Sequence, residues 1–456
     1  MPKSCFGLTA VAGVLSTGGR IIGSDMSSGA QADDQTAAPA PDRRLRAQAA
    51  GVALASTVGT ILSSTPVVQA SFGLFLIPIA QEFVWPRARV SAVLGLLSVV
   101  TAIAYPFAGR LADRFGTRRL ILIGNAGFAA SVAALSLSTA NVVWFYALFA
   151  LVGLFGALPS TMMFTRVISG WYDARRGTML GLVSGMGNGV GSTVMPIIAM
   201  LLMARFGWRG AFLGMALLVL AIGFPVLAAL LRDPPARADG EAGATPLKGL
   251  SLLEAARTGR FWVTLIAIAL GAGCTTAVFA HVVPILSDRG YSPERGTEVV
   301  AVFALVCAAW QPVVGLLLDR ASAPRVIAPF YVVTAIGLVL LEHGSGRASL
   351  LGAGALMGVG LGAEFGALPF LISRYFGLRH YGAIAGVMYA VVILAQGITP
   401  YLMDASFDAS GSYAAAIRLI QVALVLGAAA LALLPAYVGR KPRPGIGVRL
   451  DSPARS

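Results

Sequence analysis

Long stretches without Asp, Glu, Lys or Arg dominate this chain, at 47–81, 90–109, 120–165, 177–204, 210–231, 261–287, 299–318, 326–341 and 381–403. Two more, 348–373 and 412–438, are interrupted only by Glu364 and by Arg418. An α-helix rises about 1.5 Å per residue, so about 20 apolar residues cross the hydrocarbon core of a bilayer. The run 120–165 holds two crossings and breaks between Leu137 and Asn141. The pattern predicts an all-α membrane protein of twelve transmembrane helices. The weakest, 326–341, needs Ala323 to Arg325 or Leu341 to Gly344 to reach full length.

Composition agrees with that reading. Charged residues make up 12% of the chain, hydrophobic ones 57%, and the mean hydropathy is +0.79. A soluble domain carries about 25% charged residues, so a lipid bilayer must supply part of the solvent. The net charge of +14 does not form a nucleic-acid patch, because the basic residues stand singly or in twos and threes between apolar runs. Cys5, Cys274 and Cys307 are isolated and give no disulfide or metal spacing. Residues 1–47 read as a disordered tail, with Met26 as an alternative start. The connection 233–258 reads as a cytoplasmic linker between bundles 48–232 and 259–438, and 439–456 as a cytoplasmic tail.

Orientation follows from the bias of positive residues. With both termini cytoplasmic, the inner loops hold Arg110, Arg114, Arg118, Arg119, Arg175, Arg176, Arg320, Arg325, Arg374 and Arg379, besides the basic residues of the linker. The outer loops hold about half as many. The expected location is a bacterial inner membrane, crossed many times, with both termini cytoplasmic.

The two halves repeat each other. Pro78, Glu82, Pro106, Gly109, Asp113, Arg114 and Arg119 match Pro284, Asp288, Pro312, Gly315, Asp319, Arg320 and Arg325 at an offset of 206. Gly177 and Gly181 match Gly382 and Gly386 at 205, and Pro196 matches Pro400 at 204. Proline, aspartate and arginine in one register are not chance in a Gly- and Ala-rich chain. Such a repeat implies two pseudo-symmetric six-helix bundles with a site between them at mid-membrane depth.

Between the second and third predicted helices runs Gly109-Arg-Leu-Ala-Asp113-Arg114-Phe-Gly116-Thr-Arg118-Arg119. It resembles, residue for residue, the signature loop of the major facilitator superfamily, and the resemblance covers about residues 48–438. It implies that Gly109, Asp113, Arg114, Gly116, Arg118 and Arg119, with Asp319 and Arg320 of the echo, form a cytoplasmic gating loop that latches the halves together. Phe72 to Pro78, Gly170 to Gly177, Phe206 to Arg209 and Ser373 to Arg379 look like the monocarboxylate and oxalate–formate antiporter branch. That branch carries a basic residue deep in the membrane to bind carboxylate, and no Lys or Arg stands at mid-depth in the first, seventh, eighth or eleventh span here. The fifth helix also lacks the Gly-Pro pair usual in drug exporters.

Glu364 is the carboxylate placed well inside a predicted span. A bilayer penalises an unpaired carboxylate by several kcal/mol and tolerates its neutral form, so Glu364 reads as a proton carrier or substrate contact, or else as a structural hydrogen-bonding group. Arg166 can snorkel, face the cavity, or pair with Asp113. His281 reads as a buried hydrogen-bonded residue or as part of a coupling pathway. Ser64 lies on a hydroxyl stripe of the first helix, and Asn188 on a polar stripe of the fifth beside Gly181, Gly185 and Gly189, where packing competes with cavity lining. Gln69, Thr275, Thr276, Tyr105, Trp310 and Gln311 complete a candidate lining. Gln69 and Thr275 are repeat equivalents.

No Gly-x-x-x-x-Gly-Lys loop is present, so ATP is not the expected energy source. His281, His343 and His380 are too scattered for a metal cluster, and neither a cofactor nor enzymatic activity is expected. The expectation is a monomeric secondary carrier working by alternating access, taking up a small organic anion together with H+. Export of an amphipathic compound, or a transporter-like sensor, are the alternatives.

Overall fold

The computed structural model describes residues 43–173, 175–234, 249–320 and 324–436. The readings of residues 1–42, of most of the linker and of the C-terminal tail lie outside these. Ten helical stretches among the described residues are long and apolar enough to cross a bilayer. One, Arg176–Leu230, holds two crossings divided at Gly207, whose φ of 66° and ψ of −179° break the helix where only glycine fits easily. The shorter Ala328–His343 brings the number to twelve.

In chain order these are α1 (Arg43–Phe83), α2 (Arg87–Phe115), α3 (Thr117–Leu137), α4 (Val142–Trp171), α5 (176–206) and α6 (208–230). The second set is α7 (Gly259–Asp288), α8 (Pro293–Arg320), α9 (Ala328–His343), α10 (Arg347–Tyr375), α11 (Tyr381–Ser410) and α12 (Ala414–Leu433). The helix α9 has 16 residues, shorter than the span expected at 326–341 with its flanks, because Pro324–Val326 forms a separate 3-10 turn. Helix α1 carries a π-helical turn at Thr65–Gln69, beginning beside Pro66, whose ring removes a backbone donor.

Aliphatic side chains such as Leu201, Leu217, Leu305 and Leu419 point outward, as lipid-facing positions must. Inside, the apolar core is divided unevenly. One cluster joins residues of both halves, from Ala49 and Tyr105 through Phe164 to Phe261 and Tyr389. A second belongs to the first half alone and is built on aromatic rings, with Phe75 stacked on Phe212 at 4.1 Å. The motif Phe206 to Arg209 closes this end: the Trp208 indole donates to Glu82 at 2.6 Å, and Arg209 pairs with the same carboxylate.

The linker's two described ends are each docked on a bundle. Arg232 offers its carbonyl to the Trp171 indole at 2.9 Å. On the other side Leu250 donates its N–H to Phe376 at 2.9 Å, and the short helix Leu252–Ala256 begins with a capping box of Ser251 and Glu254.

Candidate functional site

Two aspartates join the halves. Asp113, near the end of α2, accepts from the backbone N–H groups of Gly382 at 3.2 Å and Ala383 at 2.9 Å, in the first turn of α11. Asp319, near the end of α8, accepts from the N–H groups of Gly177 at 2.6 Å and Thr178 at 2.8 Å, in the first turn of α5. Under the repeat these are the same contact made twice, each half capping a helix of the other.

The chemistry is that of an N-cap supplied from another bundle. The first N–H groups of a helix have no partner within it, and the helix dipole favours a negative charge there. The residues that precede α5 and α11, Arg175 and His380, make no side-chain cap. Parting the halves therefore uncaps both helices.

Glycines make the approach possible. A Cβ on Gly109 would strike the carbonyl of Gly382, one on Gly386 would strike that of Tyr105, and Gly177 and Gly315 face each other backbone to backbone. Farther along α5, Gly181 and Gly185 lie against Gln311 of α8, and Gly189 against Ala308. The small-residue stripe of α5 thus faces the other half, while Gly187 and Gly191 face Thr60 and Pro66 of α1. A stripe readable as helix packing is here the contact surface of two bundles.

Arg166 is half-buried and engaged. It pairs with Asp113, donates its Nε–H to the Thr117 hydroxyl at 2.8 Å, and reaches the Ala112 carbonyl at 3.4 Å. Around it, Gly116 (φ 87°) makes the turn into α3, Arg118 donates to the Ala228 carbonyl at 2.7 Å, and the Arg114 guanidinium sits over Phe115. Arg119 and Arg320 are exposed.

Glu364 lies inside the second half. Its carboxyl neighbours Thr275 and Gly271 of α7 and Tyr331 of α9, with the Thr275 hydroxyl 3.3 Å from one oxygen and the other oxygen without a hydrogen-bond partner. On the same helix Gly366 approaches Gly181 of the first half, and residues two apart point to nearly opposite sides of a helix. Glu364 therefore turns into its own bundle. The two nearby hydroxyls already donate elsewhere, Thr275 to the Gly271 carbonyl at 2.9 Å and Tyr331 to that of Ala267 at 3.2 Å. Each hydroxyl has a single proton and retains lone pairs. Each can accept from a neutral carboxylic acid, whereas donation to a carboxylate, as from Thr275 at 3.3 Å, competes with these shorter contacts to backbone carbonyls.

The remaining candidates are spread over both halves. Tyr105 meets Tyr389 of α11 edge to face at 6.2 Å. Asn188 donates to the Thr161 hydroxyl at 3.2 Å and to the Ser184 carbonyl at 3.0 Å, leaving its own carbonyl oxygen buried without a partner. The Ser64 hydroxyl, near Gly156 of α4, and the Trp310 indole N–H are likewise unpartnered, and Trp310 packs edge to face on Phe330 at 5.9 Å. Gln69, in the π-helical turn, and Thr276 are half-buried. His281 is bound at both ring nitrogens, to the Ala277 carbonyl and the Asp404 carboxylate, each at 2.7 Å.

Sequence reasoning passed over Thr117, Thr178, Tyr331 and Asp404. For Thr178 a signal existed: Gly177 and Gly382 are repeat partners, as are Asp113 and Asp319, and crossing the two pairs gives the contact. For Tyr331 and Asp404 only the folded bundle shows the neighbour.

A family model described as Major Facilitator Superfamily matches residues 50–400. Human monocarboxylate transporter 11 is 27% identical over 363 residues, 75% of each chain. The tetracenomycin C resistance and export protein of Streptomyces glaucescens is 30% identical over 273 residues, 57% of this chain and 46% of that one. A crystal structure of the Escherichia coli fucose:proton symporter superposes with a TM-score of 0.64 at 15% identity, covering 85% of this chain and 98% of that one.

Proposed function

We propose a substrate class and a coupling mode for this chain, which belongs to the major facilitator superfamily and is therefore a multi-pass transporter rather than an enzyme. It takes up a small organic anion, a monocarboxylate, together with a proton, and Glu364 is the group that carries the proton. The observation that carries this reading is the Glu364 carboxyl itself, buried within the second bundle with one oxygen lacking a hydrogen-bond partner and the other 3.3 Å from the Thr275 hydroxyl. An ionised carboxylate there would stand unpaired in a low-dielectric interior, which costs several kcal/mol. The carboxyl is thus suited to hold a proton while the Asp113 and Asp319 contacts are closed. The likeness to a monocarboxylate transporter supports the substrate class. With Arg166 held by Asp113 and no Lys or Arg at mid-depth in the apolar runs, an anion crosses best with its charge offset by a proton.

The test is uptake of labelled monocarboxylates into proteoliposomes with an imposed pH gradient. Accumulation driven by the gradient and abolished by a protonophore is expected. The likeness to an export protein favours a second reading, efflux. Proton flux evoked by amphipathic compounds but by no acid would establish that one instead.

We propose a bacterial inner membrane as its location, with both termini, and the Asp113 face, in the cytoplasm. A cysteine at exposed Ala140 should then react with an impermeant thiol reagent from outside intact cells, and one at exposed Arg119 should not. The reverse labelling pattern would invert the topology.

A further inference from the structure

A third helix start is capped by a borrowed aspartate. Gly116, before α3, has no side chain to cap with, and its missing Cβ leaves room for the carboxylate of Asp233. Asp233, just beyond α6, accepts from the N–H groups of Thr117 at 3.1 Å and Arg118 at 3.0 Å. Thr117 is also the residue whose hydroxyl receives the Arg166 Nε–H at 2.8 Å. Arg166 in turn pairs with Asp113, which holds the first turn of α11. A guanidinium is a rigid fork, so fixing its Nε–H fixes where its terminal N–H groups point.

The repeat separates this chain of contacts from ordinary pinning of one helix to the next. In the first half Arg118 binds the Ala228 carbonyl, and in the second Arg325, the repeat partner of neighbouring Arg119, binds that of Ala432 at 3.1 Å, 204 residues on from Ala228. A contact of this kind, from an arginine of the loop to the last helix of its half, thus exists in both halves. The equivalents of Thr117, Arg166 and Asp233, at offsets of 206, 205 and 204, are Ala323, Leu371 and Tyr437. Ala323 and Leu371 carry no hydrogen-bonding side chain and Tyr437 no charge, so the sequence of the second half does not repeat the Asp–Thr–Arg set. On the Asp319 side the Thr178 hydroxyl, at 2.7 Å, supplies the extra contact directly.

We infer that Asp233, at the root of the linker, is a positioning residue for the Asp113 latch, acting through Thr117 and Arg166, and that the Asp319 latch is independent of it. The two contacts that join the halves are thus alike in form but differently governed. One is wired to the segment between the bundles.

Hydrogen–deuterium exchange of the whole protein in detergent or nanodiscs tests this without substrate or a proton gradient, so its outcome is separate from that of the Glu364 reading. Asp233→Ala should speed exchange of the Gly382 and Ala383 amides about fivefold, the size of effect that loss of a helix cap produces. The Gly177 and Thr178 amides should be unchanged. Asp233→Asn, which keeps one acceptor oxygen, should act in the same direction more weakly and serves if the alanine variant folds poorly. Thr117→Val should reproduce the effect, and the double variant should exceed neither single one. Faster exchange confined to the start of α3, or equal acceleration at α5 and α11, would overturn the inference, as would additive effects of the two substitutions.

Discussion

Glu364→Gln should abolish accumulation driven by a pH gradient while leaving exchange of labelled for unlabelled substrate intact and without its pH dependence. The amide fills the same space and can donate an N–H to the lone pairs of Thr275 and Tyr331, as the neutral acid would. It cannot release a proton. Return of the empty carrier, which requires that release, stalls, whereas exchange needs no net proton movement. Other roles predict other results. A structural glutamate would show a lower melting temperature, with both transport modes reduced together. A substrate contact would show both modes weakened through affinity, with stability kept. Full gradient-driven accumulation by a well-folded variant would sink the proton-carrier reading.

Asp113→Asn should leave the protein folded and slow turnover at least about tenfold. The carboxylate serves two N–H groups of α11 and the half-buried Arg166 at once. The amide keeps one acceptor oxygen, loses the charge that complements the helix dipole, and leaves the guanidinium without its anion. Charge-assisted bonds contribute about 1.5–3 kcal/mol and the dipole about 0.3–1 kcal/mol, so a loss of about 2 kcal/mol, roughly thirtyfold in the latch equilibrium, is expected. Asp319→Asn should have a smaller effect, because it strands no arginine and the Thr178 hydroxyl remains. Transport rates and melting curves of both variants decide this. Normal turnover in Asp113→Asn would mean that the loop only sets topology.

Much of this protein is legible in its sequence because a bilayer imposes simple rules. Every backbone group in hydrocarbon must find its partner inside a helix, so apolar runs of the right length report the spans, and the repeat reports two bundles. The helix α9 shows where this stops: its 16 residues and the turn before it reflect local proline geometry, which hydropathy does not register. The Gly181, Gly185 and Gly189 stripe was legible as a packing face, but not as a face toward the other half. A small-residue stripe says that something comes close without saying what.

The sequence alone determined the spans, the two-bundle plan, the loop that carries Asp113, and Glu364 as an anomaly in an apolar run. Only the tertiary structure decided what each polar group meets. Arg166 had three possible placements, at the surface, in the cavity or against Asp113, and packing of α2 against α4 chose Asp113. Glu364 could have faced the space between the bundles, and the packing of α10 on α7 and α9 turned it inward, beside Tyr331. Asp233 looked like the first residue of a linker until the fold set it on the start of α3. The physical reason is the same each time. Hydrophobic burial is a property of a residue and its spacing, readable in one dimension, whereas a hydrogen bond or ion pair needs two atoms within about 3 Å, and their separation along the chain carries no record of it.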